Sequence, residues 1–294
     1  MDKNSDKNTS FSPKRAFDFN GKIMDFSKPR VMGILNITPD SFYNGSRESW
    51  GPGGMEAGKW RAKVEQMVSE GAYIIDIGAV STRPGAAEVS AEEENRRLMP
   101  VLKDIRKEFP DVILSIDTFR AEIAGIAAGE GADMINDISG GTFDPLMLSA
   151  IVHLGIPYII MHIRGTPATM QVNPVYEDVV KEVGSFLLGQ ARKLHEAGHV
   201  QVILDPGFGF GKTVDQNFHL LENLDRLVAS GYPVLAGLSR KSMINHVLQI
   251  KPDDALNGTT VLNTIALLKG ASILRVHDVK EAVEAINLVD KVIK

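Results

Sequence analysis

Eight times along this chain a short, nearly continuous apolar run gives way to a Gly- or Asp-marked loop, usually followed by a longer stretch with helical periodicity. The runs lie at residues 31–35, 73–77, 112–116, 133–138, 157–161, 201–204, 233–238 and 272–276. Helical stretches fall between them, at 57–70, 91–109, 120–130, 176–197, 215–229 and 256–269, and Gly71, Gly131, Gly198, Gly231 and Gly270 stand where several of them must stop. Strand-then-helix repetition implies parallel strands joined by crossovers, and a parallel strand buried on both faces reads as an unbroken apolar run. Residues 31–294 divide into eight units of about 33 residues, the size of one β-α repeat. The expected fold is therefore α/β, a single (β/α)8 TIM barrel. A doubly wound open sheet competes, and the polar residues decide against it. Asn36, Asp76, Asp117, Asn136, His162, Asp205, Ser239 and the pair Arg275 and His277 each fall at or just beyond the carboxyl end of a run. In a barrel those ends converge on one mouth, whereas the outer strands of an open sheet would carry polar ends with nothing to contact. Residues 16–26, two short runs about Asn20-Gly21, read as a β-hairpin ahead of the barrel. Residues 1–14 are polar, lack the apolar core of a signal peptide, and read as a flexible tail.

Composition narrows the chemistry. The chain of 294 residues has no Cys, which removes disulfides, thiolate nucleophiles, zinc-Cys sites and iron-sulfur clusters. Carboxylates, amides, Lys, Arg, His and hydroxyls must do the work. A net charge of -5 and 6% aromatic residues provide neither a basic surface nor many stacking platforms, so nucleic acid is not an expected partner. No stretch approaches the roughly 20 apolar residues of a membrane span, so a soluble cytoplasmic protein with no membrane partner is expected.

Taken singly, each strand-end residue has a structural reading: Asp117 as a cap for the next helix, residues 137–141 as a turn. As a set, two amides, several carboxylates, a Lys and an Arg-x-His pair aimed into one cavity suit a flat, polar heterocycle. The segment 205–213 looks like a phosphate loop but carries Pro206 where that motif needs Gly. Its glycines are expected to let the backbone pass close to a ligand held by Asp205, which leaves Lys212 as a surface or loop residue. Ser239-Arg240-Lys241-Ser242 opens a helix and brings two cations to a place where barrels bind anions. Lys241 has three readings there: Schiff-base amine, anion ligand or salt-bridge partner. Arg275 and His277, two apart on the last strand, share one side and read as an anion clamp. Of the seven histidines only His162 and His277 have a functional reading; 153, 195, 199, 219 and 246 read as surface groups. The long segments 38–54 and 79–90 read as binding loops or lids.

Eight ordered segments carry a resemblance to the dihydropteroate synthase family: MGILNITPDSF at 32–42, DIGAVSTRPGA at 76–86, SIDTFR at 115–120, NDISGG at 136–141, MHIRGTPATMQ at 161–171, DPGFGFGK at 205–212, SRKSMI at 239–244 and RVHDV at 275–279. The resemblance implies a transferase that joins 6-hydroxymethyl-7,8-dihydropterin pyrophosphate to p-aminobenzoate, releasing pyrophosphate in folate biosynthesis, and a target of sulfonamides. It implies Asp117, Asn136, Asp205, Phe210, Lys241 and Arg275 on the pterin, with Asp117, Asp205, Lys241 and Arg275 as the catalytic set. Asn36, Thr82, Arg83, Arg275 and His277 would hold the pyrophosphate, with Mg2+ on Asn36. Phe42, Thr82, Pro84, Lys241 and Ser242 would shape the p-aminobenzoate region. The family is commonly a homodimer. Ala79-Val80-Ser81 departs from the Gly-Glu-Ser usual before Thr-Arg-Pro-Gly, which bears on loop contacts rather than on the reaction. Two rival functions are a pterin-binding methyltransferase domain using methyltetrahydrofolate, which has no need of an anion clamp, and a non-catalytic pterin-binding protein.

Overall fold

The computed structural model describes residues 16–37, 57–78 and 89–293. Strands β1 (Ala16–Phe19) and β2 (Lys22–Asp25) form the antiparallel hairpin, turning through Asn20 and Gly21, both at positive φ. The barrel follows in chain order. Its first half is β3 (Arg30–Asn36), α1 (Ala57–Ser69), β4 (Ile74–Gly78), α2 (Ala91–Glu108), β5 (Ile113–Asp117), α3 (Ala121–Gly129), β6 (Met134–Asp137) and α4 (Met147–Leu154). The second half is β7 (Tyr158–Met161), α5 (Val179–Glu196), β8 (Val202–Asp205), α6 (Val214–Glu222), α7 (Leu224–Val228), β9 (Leu235–Ala236), α8 (Ser242–Leu248), α9 (Leu256–Leu268), β10 (Ile273–Val276) and α10 (Val279–Val292).

Neighbouring strands pair in parallel in the order β8-β7-β6-β5-β4-β3-β10-β9. A parallel bridge between Leu204 and Val234 joins β8 to the residue before β9, so the eight strands form a nearly closed barrel with helices between them. The expected strand at 233–238 shortens to β9, because Pro233 has no N–H for the ladder and Gly237 weakens pairing. The expected helix 215–229 divides at Asn223, whose backbone leaves the helical region while its side-chain amide donates to the His219 carbonyl. All five stop glycines adopt positive φ, where a side chain would be strained.

Side-chain alternation then sorts the barrel into layers. Met32, Ile74, Ile113, Met134, Ile159, Ile203, Leu235 and Ile273, one from each barrel strand, pack with Phe17, Phe19 and Met24 of the hairpin in a single apolar cluster. The hairpin thus plugs the amino-terminal end. Two residues further along each strand, about 7 Å up the barrel, stand Ile34, Asp76, Ser115, Asn136, Met161, Asp205, Gly237 and Arg275. Alternate residues such as Ile75, Leu114, Ile135, Ile160, Val202 and Leu274 belong to the larger cluster with the helices. One step along the strands therefore turns the interior from apolar to polar, and the polar layer opens only toward the carboxyl ends.

Two expectations about single residues are corrected here. His199 is 5% exposed rather than a surface group, and Lys212 is 3% exposed. No helix among the described residues is long and apolar enough to cross a membrane. The tail 1–14, the site residues Phe42, Thr82, Arg83 and Pro84, and the Ala79-Val80-Ser81 departure lie outside the described residues.

Because Phe19 is wholly buried in the plug, Phe19→Ala is expected to cost about 3–5 kcal/mol. Urea unfolding measures the loss, and the folded fraction should keep the ligand affinity of the polar mouth, since the plug lies at the opposite end of the barrel.

Candidate active site

At the carboxyl ends of the strands, Asp117, Asn136, Asp205, Phe210, Lys241 and Arg275 line one cleft, with Ile138, Met161, Phe208 and two glycines completing the wall. Six residues far apart in sequence thus meet in one cleft. Arg275 stands at the centre. Its Nε donates to Asp76 Oδ2 at 2.7 Å, and its Nη2 lies 2.6 Å from the same oxygen and 3.0 Å from Asp117 Oδ2. Asn136 Nδ2 donates to Asp76 Oδ2 as well, at 3.1 Å. Burial works against the Arg275 charge, but Asp76 and Asp117 outweigh it and hold the group above its ordinary range. Burial pushes Asp117 up to about 7; Arg275 pulls it down, while the negative charges of Asp76, Glu94 and Asp137 push the same way as burial.

Asp205 accepts from the Gly207 N–H at 2.7 Å, and burial raises its pKa against the opposing pull of Lys241, Arg275 and Lys212. Lys241 donates to the Phe208 carbonyl at 2.8 Å with its ammonium 4.3 Å from the centre of the Phe210 ring. Burial lowers it to about 8, with Asp205 working the other way. Lys241 is therefore a cation at neutral pH, aimed by a carbonyl and an aromatic face.

The loop after β8 owes its shape to Lys212. That ammonium donates to the carbonyls of Gly207, Phe210 and His162 at 2.9, 2.9 and 3.2 Å and lies 3.1 Å from His162 Nδ1. Burial lowers Lys212 to about 7. The reading of Lys212 as a surface or loop group is corrected: it is a buried tie for the loop carrying Phe208 and Phe210. The glycines also have another explanation than ligand approach. A Cβ on Gly207 would lie 2.1 Å from the His162 carbonyl, and one on Gly211 would lie 2.4 Å from the Arg164 carbonyl, so the loop is packed against the backbone after β7. His162 is buried behind this loop between Tyr176 and Phe186 and is held down to about 3 by burial; it does not line the cleft.

The remaining expected residues divide. Asn36 Oδ1 and the Asp117 carboxylate lie 3.8 and 3.7 Å from the point where Gly78 lacks a Cβ, so both border the same mouth. The Ser239 hydroxyl accepts from the His277 backbone N–H at 3.1 Å and lies 3.0 Å from His277 Nδ1. Nδ1 is therefore engaged by the Ser239 hydroxyl, and Nε2 is the ring nitrogen left free of that contact. Burial, with Arg275 next, lowers His277 to about 4, so it is neutral at pH 7. Ser242 opens α8 with an exposed side chain. Arg240, expected as a second cation for anions, is committed to both Asp278 oxygens at 2.9 and 2.7 Å.

Asp117 does not cap the following helix, because Asp144 accepts from the Ala121 N–H instead. Asp137 does build the 137–141 turn, accepting from Ser139 and Gly141 and from the Tyr158 hydroxyl. Asp76 received no role from its motif, yet it joins Arg275 to Asn136; its place two residues beyond the inward Ile74 was the available signal. Glu94, buried on α2 and bound to Thr118 and Arg120, carries no signal in sequence.

Residues 32–277 match the family described as pterin binding enzyme. The dihydropteroate synthase of Escherichia coli (strain K12) is 43% identical over 272 residues, covering 92% of this chain and 94% of that protein. A crystal structure of the Yersinia pestis dihydropteroate synthase with a sulfonamide drug complex aligns with a TM-score of 0.86 at 40% identity, over 94% of this chain and 98% of that one. The Xanthomonas albilineans dihydropteroate synthase in complex with 7,8-dihydropteroate gives 0.83 at 36% identity, over 94% and 98%. Motif order, barrel and overall similarity agree: the chain belongs to the pterin binding enzyme family, among its dihydropteroate synthases.

Proposed function

We propose that the cleft holds 6-hydroxymethyl-7,8-dihydropterin pyrophosphate for attack by p-aminobenzoate, giving 7,8-dihydropteroate and pyrophosphate. The observation that carries this reading is the convergence of Asp117, Asn136, Asp205, Lys241 and Arg275 on one cleft with apolar walls. A pterin presents two parallel N–H donors on its amino-pyrimidinone edge, which one carboxylate matches, and Asp205 takes that part. Lys241 donates to the ring carbonyl, while Asn136 and Asp117 meet the remaining edge. Arg275 lays its guanidinium plane beside the ring.

Reaction breaks the bond between the exocyclic CH2 and the pyrophosphate oxygen. The electron pair leaves with pyrophosphate, and positive charge spreads into the electron-rich dihydropterin. The arylamine nitrogen, neutral at pH 7, then bonds to that carbon and loses a proton. This chain mainly has to orient the ring, stabilise the departing anion and exclude water. Asn36 and the neutral imidazole of His277 bind pyrophosphate oxygens, with Thr82 and Arg83 from the 79–90 segment. Arg275 contributes less net charge than a free guanidinium, because two carboxylates already oppose it. Phe42, Thr82, Pro84, Lys241 and Ser242 bound the p-aminobenzoate region.

The donor set fits Mg2+ in a limited way. Among the described residues no group of three His, Cys, Asp or Glu side chains could hold a metal, but Asn36 has a neutral amide oxygen at the mouth. Mg2+ prefers oxygen ligands and keeps most of its waters, so that oxygen with substrate phosphate oxygens suffices. When bound, Mg2+ would offset the charge of the leaving group. The enzyme acts in the cytoplasm as a homodimer. Val261, Ile265 and Leu268, on one face of α9, and Val247 and Leu248 on α8 are exposed apolar side chains that a second copy would cover.

Pyrophosphate release should require both p-aminobenzoate and Mg2+, and Asp205→Ala should weaken pterin binding about 100-fold, the scale of lost charge-assisted bonds, with little change in Tm. Calorimetric titration and a coupled release assay measure these; a folded chain that binds methyltetrahydrofolate and releases no pyrophosphate would favour the methyltransferase reading. The pH profile of kcat/KM for the pterin substrate should rise through about 7 as Asp117 ionises and fall through about 8 as Lys241 loses its proton. Lys241→Met should lower the maximum and erase the alkaline limb. Sedimentation should give a dimer, and Ile265→Glu should give a monomer.

A further inference from the structure

We propose that Asp76 is a positioning residue for the pterin cleft: one carboxylate oxygen, Oδ2, fixes the plane of Arg275 and the hydrogen-bond polarity of Asn136. Asp76 is wholly buried and does not line the cleft, so any effect it has on a ligand passes through its neighbours. In the sheet order β10-β3-β4-β5-β6, Asp76 on β4 stands between Arg275, two strands to one side, and Asn136, two strands to the other. All three belong to the same inward layer, so the contacts cross the lumen rather than follow a strand ladder.

The contacts converge on a single atom. Oδ2 accepts from Arg275 Nε at 2.7 Å and from Asn136 Nδ2 at 3.1 Å, and it lies 2.6 Å from Arg275 Nη2. The other oxygen, Oδ1, is buried without a hydrogen-bond partner among the described residues. A hydrogen bond from Nε and an ion-pair contact from Nη2 to the same oxygen restrict rotation about the last side-chain bonds of Arg275, and Asp117 Oδ2 accepts from that Nη2 on the cleft side at 3.0 Å. An ionised carboxylate is an acceptor only, so Asn136 must turn its NH2 toward Asp76. That leaves the amide carbonyl as the atom that meets a ligand, and Asn136 consequently reads ring N–H donors. Asp76 thereby selects for the donor pattern of the heterocycle without touching it.

The charge of Asp76 also acts on Asp117. The groups facing Asp117 are Arg275 from β10, Asp76 from β4, Glu94 from α2, Asp137 from β6 and Lys241 at the start of α8. Arg275 and Lys241 favour its ionised form, and the three carboxylates oppose it. Neutralising Asp76 removes one opposing charge and gives Arg275 to Asp117 alone, so both changes lower the Asp117 pKa.

The inference rests on the cleft being the pterin site. Its test is steady-state kinetics of the full chain and of Asp76→Asn, with both substrates varied from pH 5.5 to 9 and Tm recorded alongside. Asp76→Asn keeps the shape and loses the charge. It should raise KM for the pterin pyrophosphate about tenfold, leave KM for p-aminobenzoate within about twofold of the unaltered enzyme, and move the acid limb of kcat/KM to lower pH. Asp76→Glu keeps the charge but shifts the oxygen by one methylene, and should raise the same KM while leaving p-aminobenzoate unaffected. A lower Tm with both Michaelis constants and the acid limb unchanged would make Asp76 structural and overturn the proposal. Failure of both variants to fold would do the same. If the unaltered chain itself releases no pyrophosphate, the pterin reading falls and this inference with it; normal turnover beside an indifferent Asp76→Asn defeats this inference alone.

Discussion

A guanidinium held inside a barrel with most of its surface out of water must be given its counter-charges there, because desolvating an ion costs several kcal/mol. Arg275, 21% exposed at its side chain, meets that demand with Asp76 and Asp117. Much of the mouth is arranged around this need. Asp76 engages Asn136, Asp117 borders Asn36 across the space that Gly78 leaves open, and the field of Arg275 keeps His277 neutral alongside the larger effect of burial. Lys241, the other cation lining the cleft, is set against Asp205 and a π face rather than a close ion pair. The two cations are thus held in different ways, Arg275 rigidly between carboxylates and Lys241 by one carbonyl and a ring.

Barrel geometry lets this charged layer exist without undermining the fold. Each strand contributes one apolar residue to the plugged end and, two residues later, one residue to the layer above. The helices bury the alternate set. Stability therefore comes mostly from two clusters that share only Phe208 with the lining of the cleft, while the carboxyl ends and their loops remain free to carry polar groups. Lys212 and Glu94 serve at the boundary. One ties the loop after β8 to the backbone after β7, and the other ties α2 to the residues following β5.

Much of this was legible from residue order because periodicity and strand-end polarity are local. The eight runs, the stop glycines and the ordered motifs pointed to the barrel and to Asp117, Asn136, Asp205, Lys241 and Arg275 at one mouth. The failures share a cause. Lys212 and His199 look like surface groups in sequence, since nothing nearby announces three carbonyl acceptors or a buried ring. Arg240 looks like a free cation because its partner, Asp278, lies 38 residues away. Asp76 looks like one more strand end because its partners come from strands on both sides of it.

Residue order alone thus determined the architecture, the end of the barrel where chemistry can occur and the inventory of groups available there, for these follow from hydrophobic period, strand parity and the absence of Cys. Tertiary structure decided which of those groups are free, which are paired and which are neutral. Those properties depend on burial and on charges within a few ångströms, contributed by elements separated by up to 199 residues, as between Arg275 and Asp76.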